Sequence, residues 1–211
     1  MKKIMLIVLP FVGLLVSGGC SAQDKVVPEN KIKESIEVFA DLVEAKDLQK
    51  FGVKTKAELK SLKPGKQFRN YFIGLDDIKK YQIGQDAQEL FTEYPSIEVA
   101  LIDQNGRIVT TIEFEKDNGN WVATGYGATP EISLLTRVQD SIPKNAIAKG
   151  KMIRVPSLHM CFIAVSNHGA TDFFMLETYS YLSYQKGQKV RSAKVMEALI
   201  PLANKAANNT N

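Results

Sequence analysis

SIEVALIDQNGRIVTTIEFEKDNGNWVATGYG, residues 96–127, is the stretch that decides the fold. Two turn signals, Asn105-Gly106 and Asp117-Asn118-Gly119-Asn120, separate runs rich in β-branched and aromatic residues. Asn-Gly between two such runs is the strongest short hairpin cue, because it tolerates the positive φ angles that a tight turn demands. A two-residue loop at Asn105-Gly106 pairs Asp103 with Ile108, Leu101 with Thr110, Val99 with Ile112 and Ile97 with Phe114. Apolar residues then meet on one face, as a half-buried sheet requires. The second loop sets Phe114 opposite Ala123 and Ile112 opposite Gly125. Residues 96–127 therefore read as a three-stranded antiparallel meander.

Upstream, Asn30 to Lys50 predicts a helix with Ile32, Ile36, Phe39 and Val43 on one stripe, and Asn30 as its N-cap. A shorter helix follows over 54–62, capped by Thr55 and ended by Pro64-Gly65. Lys66 to Gly74 reads as a strand, with helical turns at 75–81 and 86–91. Downstream, Thr129-Pro130-Glu131 opens a helix with an N-cap, a proline at the first helical position and an acid in the first turn. That helix runs to Ile142 and stops at Pro143. Lys151–Val155 and Ser157–Ser166 are strands, Ser166-Asn167-His168-Gly169 turns, and Asp172 to Leu182 returns. Ser192 to Ala206 is the last helix, interrupted by Pro201.

The class these elements imply is α+β. An antiparallel sheet, built from the meander 96–127 and a hairpin 157–182, is packed on one face by α-helices. Pro95-Ser96 and Pro156-Ser157 each precede a strand, and Lys66 and Lys151 each follow a glycine and stand three residues before an arginine. The sequence thus allows an internal duplication, with pseudo-repeats 66–148 and 151–207 inside a globular domain 30–207.

The chain begins Met1-Lys2-Lys3, and Ile4 to Val16 carry no charge. A basic start, an apolar run and a small-residue end form the secretory signal pattern. The run is too short for a bilayer core, which takes roughly 20 helical residues. Val16-Ser17-Gly18-Gly19-Cys20 resembles a bacterial lipoprotein lipobox. The resemblance covers residues 1–21 alone and implies a signal peptide 1–19, a lipidated Cys20 and a tether 20–29. It also implies a cell-envelope location with membrane attachment through the N-terminal lipid, Ser21 after the cysteine favouring the outer membrane and a periplasmic domain. Cleavage after Ala22, giving a secreted protein, is the other reading of the same residues.

Removing residues 1–19 leaves 25 basic against 23 acidic side chains. A chain so balanced, with its lysines spread out, carries no footprint for nucleic acid. The two cysteines are Cys20 and Cys161, so a lipidated or removed Cys20 leaves no intramolecular disulfide. Cys161 lies in the apolar run 158–163 and reads as a small core residue.

Chemistry-bearing residues are few. His159 and Cys161 share one face of the expected strand, with His168 and Asp172 across the turn, but the three or four ligands of a zinc site are missing. Glu98 stands opposite Glu113, with Glu115, Thr111 and Thr124 on the same face, which reads as the solvated side of the sheet. Gly125-Tyr126-Gly127 before Thr129 is a tight corner rather than a dinucleotide fingerprint, whose third glycine is absent. No catalytic, metal or cofactor residue is assigned. The aromatic stretch of Phe173, Phe174, Tyr179, Tyr181 and Tyr184 offers Tyr179 and Tyr181 on one strand face as ligand-binding residues. These features favour a non-enzymatic binding or assembly module for an envelope protein, peptide or glycan. A cell-envelope hydrolase with a site the sequence does not disclose is the other reading.

Overall fold

A computed structural model describes residues 26–167 and 169–208; the expected signal peptide 1–19, Cys20 and His168 lie outside the described residues. Helix α1 (Glu29–Leu42) leads through a 3-10 segment (Ala45–Phe51) to α2 (Lys56–Ser61) and β1 (Lys63–Phe72). Helix α3 (Leu75–Lys80) precedes a meander of β2 (Thr92–Ile102), β3 (Ile108–Asp117) and β4 (Asn120–Tyr126). Helices α4 (Pro130–Val138) and α5 (Lys144–Lys149) lead into β5 (Lys151–Val155), β6 (Met160–Asn167), β7 (Ala170–Met175) and β8 (Lys189–Arg191), and α6 (Ser192–Asn208) closes the chain.

The eight strands among the described residues form one sheet in the order β4-β3-β2-β1-β5-β6-β7-β8. Every neighbouring pair is antiparallel except β1 and β5, which run parallel at the centre through Asn70–Phe72 and Met152–Arg154. Two four-stranded meanders thus join edge to edge along a short parallel seam.

Paired residues share a face, so the register sorts the side chains. Ile97, Val99, Leu101, Ile112 and Phe114 point to the first face, where Ile32, Ile36 and Phe39 of α1 and Leu59 of α2 cover them. Farther along the same face, Tyr71, Ile153, Phe162 and Phe173 pack under α3 and α6, and the rings of Phe162 and Phe173 stack at 5.0 Å. Phe68, Ala100, Met152, Cys161 and Ile163 point the other way, beneath Ile132 and Leu135 of α4 and Ala146 of α5. The α+β class and the antiparallel sheet are as expected from the sequence. The helices, however, cover both faces rather than one: interior strands such as Met152-Ile153 and Phe162-Ile163 are apolar in succession and need a cover on each side.

The hairpin registers agree at Ile97–Phe114, Val99–Ile112, Leu101–Thr110 and Phe114–Ala123. They slip at two bulges. Asp103 pairs with Arg107 rather than Ile108, because its carboxylate accepts from the amides of Asn105 and Arg107. That closes a three-residue loop with positive φ at Gly106 alone, the alternative to a two-residue turn. Asn118 and Gly119 both have positive φ and make the tight two-residue turn. Ile112 meets Tyr126 instead of Gly125, which lies opposite Glu113.

Other boundaries moved for identifiable reasons. Helix α1 stops at Leu42, since Val43 turns extended and the chain tightens into a 3-10 coil that buries Leu48. Pro28, not Asn30, is its N-cap. Thr55 does cap α2, accepting from the Glu58 amide at 3.0 Å, and Thr129 caps α4. The returning strand of the second hairpin ends at Met175, so the hairpin 157–182 is confined to β6 and β7. Lys66 sends its ammonium to the carbonyls of Ile147, Ala148 and Gly150, neutralising the C-terminal end of α5.

Candidate functional site

The second face changes character towards the C-terminal end of β1. Past the apolar floor of Phe68 and Met152 comes a polar layer: Asn70 on β1, Glu98 on β2, Glu113 on β3 and Arg154 on β5. The register explains the assembly. Glu98 sits between Glu113 and Phe68 on its two neighbours, and Asn70 lies two residues beyond Phe68, on the same face. The N-terminus of α4 lies over this layer, contributing Thr129 and Glu131.

Glu98 is fully buried, and neither carboxyl oxygen has a hydrogen-bond partner. Burial pushes its pKa up to about 7; nearby Thr129 and Asn70 side chains and the Arg154 charge oppose the rise, and Glu113 adds to it. Thr129 and Asn70 flank the carboxyl without closing a hydrogen bond on it, and Asn70 Oδ1 is itself buried without a partner. Below about pH 7 the buried carboxyl is the neutral, protonated acid.

Arg154 pairs with Glu131, and the guanidinium lies 5.8 Å from the Tyr94 ring centroid. Burial works against the guanidinium charge, but Glu131 outweighs it and holds Arg154 above its ordinary pKa. Arg154 and Glu131 are 27% and 16% exposed at the side chain, so one flank of the pair meets solvent. There they line a cleft of about 360 Å³ walled by Tyr94, Pro130, Leu134, Pro156 and His159. A volume of this size takes a small ligand or a few residues of a larger one.

The residues singled out from the sequence fall as follows. Glu98 does face Glu113, but on a buried layer rather than a solvated one, because α4 covers it. Cys161 is buried, and its thiol pKa is driven well up by desolvation, so it offers no thiolate. His159 does not share a strand face with it; it ends a 3-10 turn with φ 51° and is exposed at the cleft. Asp172 is an ion-pair partner of Lys189 and Arg191. Among the described residues no group of three or more His, Cys, Asp or Glu could hold a metal.

Tyr179 and Tyr181 do not occupy a strand. They flank and enter a 3-10 turn (Ser180–Leu182), with ring centroids 6.2 Å apart. Tyr179 is buried; its hydroxyl accepts from the Cys161 amide at 2.8 Å and donates to the Cys161 carbonyl at 3.1 Å. Tyr181 is 57% exposed. Tyr179 thus bolts the loop onto β6, and Tyr181 alone meets solvent.

Sequence reasoning missed Asn70, Glu131 and Arg154 as site residues. The available signal was polarity out of place: Arg154 in Lys-Met-Ile-Arg-Val and Asn70 in an aromatic strand. No helix among the described residues is long and apolar enough to cross a membrane. Comparison of the chain with family models, with curated proteins and with solved structures finds no match.

Proposed function

We propose that this protein is a lipoprotein of the cell envelope, anchored through lipid on Cys20, whose domain is a non-enzymatic binding module for a peptide segment of an envelope partner. The observation that carries the reading is the Arg154–Glu131 pair set in a cleft with apolar and aromatic walls, Tyr94, Pro130, Leu134 and Pro156. Adjacent opposite charges present a donor fork and an acceptor side by side. Peptide backbones and side chains carry both complements, and the proline and tyrosine surfaces pack against apolar side chains. Glu98, which has the pKa of an acid–base catalyst, is sealed beneath this layer and does not line the cleft. That separation supports binding over hydrolysis. The lipobox-like segment supports the envelope location and outer-membrane attachment.

The test is a nuclear magnetic resonance titration of the protein with mixed short peptides and, separately, with soluble glycan fragments. Peptide-induced shifts should concentrate at Tyr94, Glu131, Leu134, Arg154 and His159, and Arg154→Met should weaken them at least tenfold. Shifts produced by glycans alone, or clustered away from the cleft, would overturn the reading. Replacing Cys20 with serine should abolish lipid attachment; unchanged processing and membrane association would remove the anchor from the proposal.

A further inference from the structure

Among the described residues the sheet ends in two unpaired edges, and they are built differently. Strand β8 is three residues long and carries Lys189 and Arg191, both paired with Asp172. A short, charged edge resists pairing with another sheet. Strand β4 is seven residues long, Asn-Trp-Val-Ala-Thr-Gly-Tyr, with neither a charge nor a proline. Its neighbour β3 occupies one side, and no described strand occupies the other.

Apolar surface gathers at the same edge. Val122 of β4 is 44% exposed. On α1, Phe39 stacks on Tyr126 of β4 at 5.0 Å, while Glu37 and Asp41 reach Lys60 of α2 on the helix's other flank. At about 100° per residue, Leu42 and Val38 fall on the flank away from α2. They are 67% and 47% exposed.

We infer that β4 is a dimerisation edge whose partner is β4 of a second copy of this chain, antiparallel about a two-fold axis normal to the sheet. Such an axis sets the strand against its own reversed copy, so charges of one sign along it would face each other; β4 has none. The axis also keeps both α1 helices on one side of the joined sheet. It brings Val38 and Leu42 of the two copies towards each other across the seam, which gives these exposed side chains an apolar cover. Main-chain hydrogen bonds supply the pairing, as in strand addition to an open edge.

Sedimentation equilibrium of the full chain in density-matched detergent tests this directly. The unaltered protein should sediment at twice the chain mass at about 100 μM, well above a Kd on the order of 1 μM. The Val122→Lys/Thr124→Lys variant places like charges across the axis at exposed positions. It should sediment as a monomer while its circular dichroism and melting remain those of the parent. Leu42→Asp should weaken the dimer at least tenfold. A monomeric parent, or a dimer that survives the lysine pair, would overturn the inference. A dimer lost with Leu42→Asp yet indifferent to the lysines would also overturn it, since the contact would then belong to α1 alone.

Discussion

Replacing Glu98 with glutamine should change how stability depends on pH. The carboxyl has its ordinary pKa of 4.5 when the chain is unfolded and about 7 when buried beneath α4. Between those values the folded protein binds a proton that the unfolded chain has released, so stability falls as pH rises through that window. At roughly 1.36 kcal/mol per unit, the loss reaches about 3 kcal/mol by pH 8. Glutamine has the same shape and does not ionise. The variant should therefore match the parent near pH 4.5 and exceed it by about 3 kcal/mol at pH 8. In melting temperature that is on the order of 6–12 °C for a chain of this size. Urea denaturation followed by circular dichroism at half-unit pH steps measures the difference. A gap between the two proteins that stays constant from pH 4.5 to 8 would refute the buried, proton-bearing carboxyl.

Other outcomes follow from the same geometry. Arg154→Met should cost about 2–4 kcal/mol by urea denaturation, because Glu131 loses its partner in a largely enclosed site, and adding Glu131→Gln should restore part of it. Tyr179→Phe removes both hydrogen bonds to the Cys161 backbone. It should cost about 1–3 kcal/mol and raise amide exchange in the 177–184 loop. Gly127→Ala should destabilise by about 1–3 kcal/mol, since φ is +105° there and a methyl would lie 2.8 Å from the Phe51 ring; thermal melting reads it. Cys161 should resist a thiol reagent in the native protein and react only on unfolding, for its thiol is buried and held protonated.

The meander was legible because turn chemistry and a period of two agree over 96–127, and three of the four pairs worked out for the first hairpin stand. Side-chain competition defeated the fourth: Asp103 offers its carboxylate to two loop amides, which propensity at Asn-Gly does not foresee. Local pattern also could not reveal the parallel contact of β1 with β5, since it depends on residues some 82 positions apart. Helix placement on both faces follows from that contact. The polar layer was hidden for the same reason. Glu98 opposite Glu113 was readable, but its burial depends on where α4 lands. Asn70 joins it through the pairing of β1 with β2, and Arg154 only once the two meanders are adjacent. Tyr179 and Tyr181 were misplaced because β7 ends at Met175 and the chain coils, breaking the alternation that would have kept both rings on one side.

The parallel seam has a consequence for the order in which the chain acquires its shape. A polypeptide delivered N-terminus first can lay β2, β3 and β4 beside β1 long before β5 has emerged. Until then the inner border of β1 stands open, and closing it means waiting for a segment about 80 residues downstream. Half-made molecules of this protein are thus the ones most prone to wrong pairing, and a holding chaperone would act on that interval.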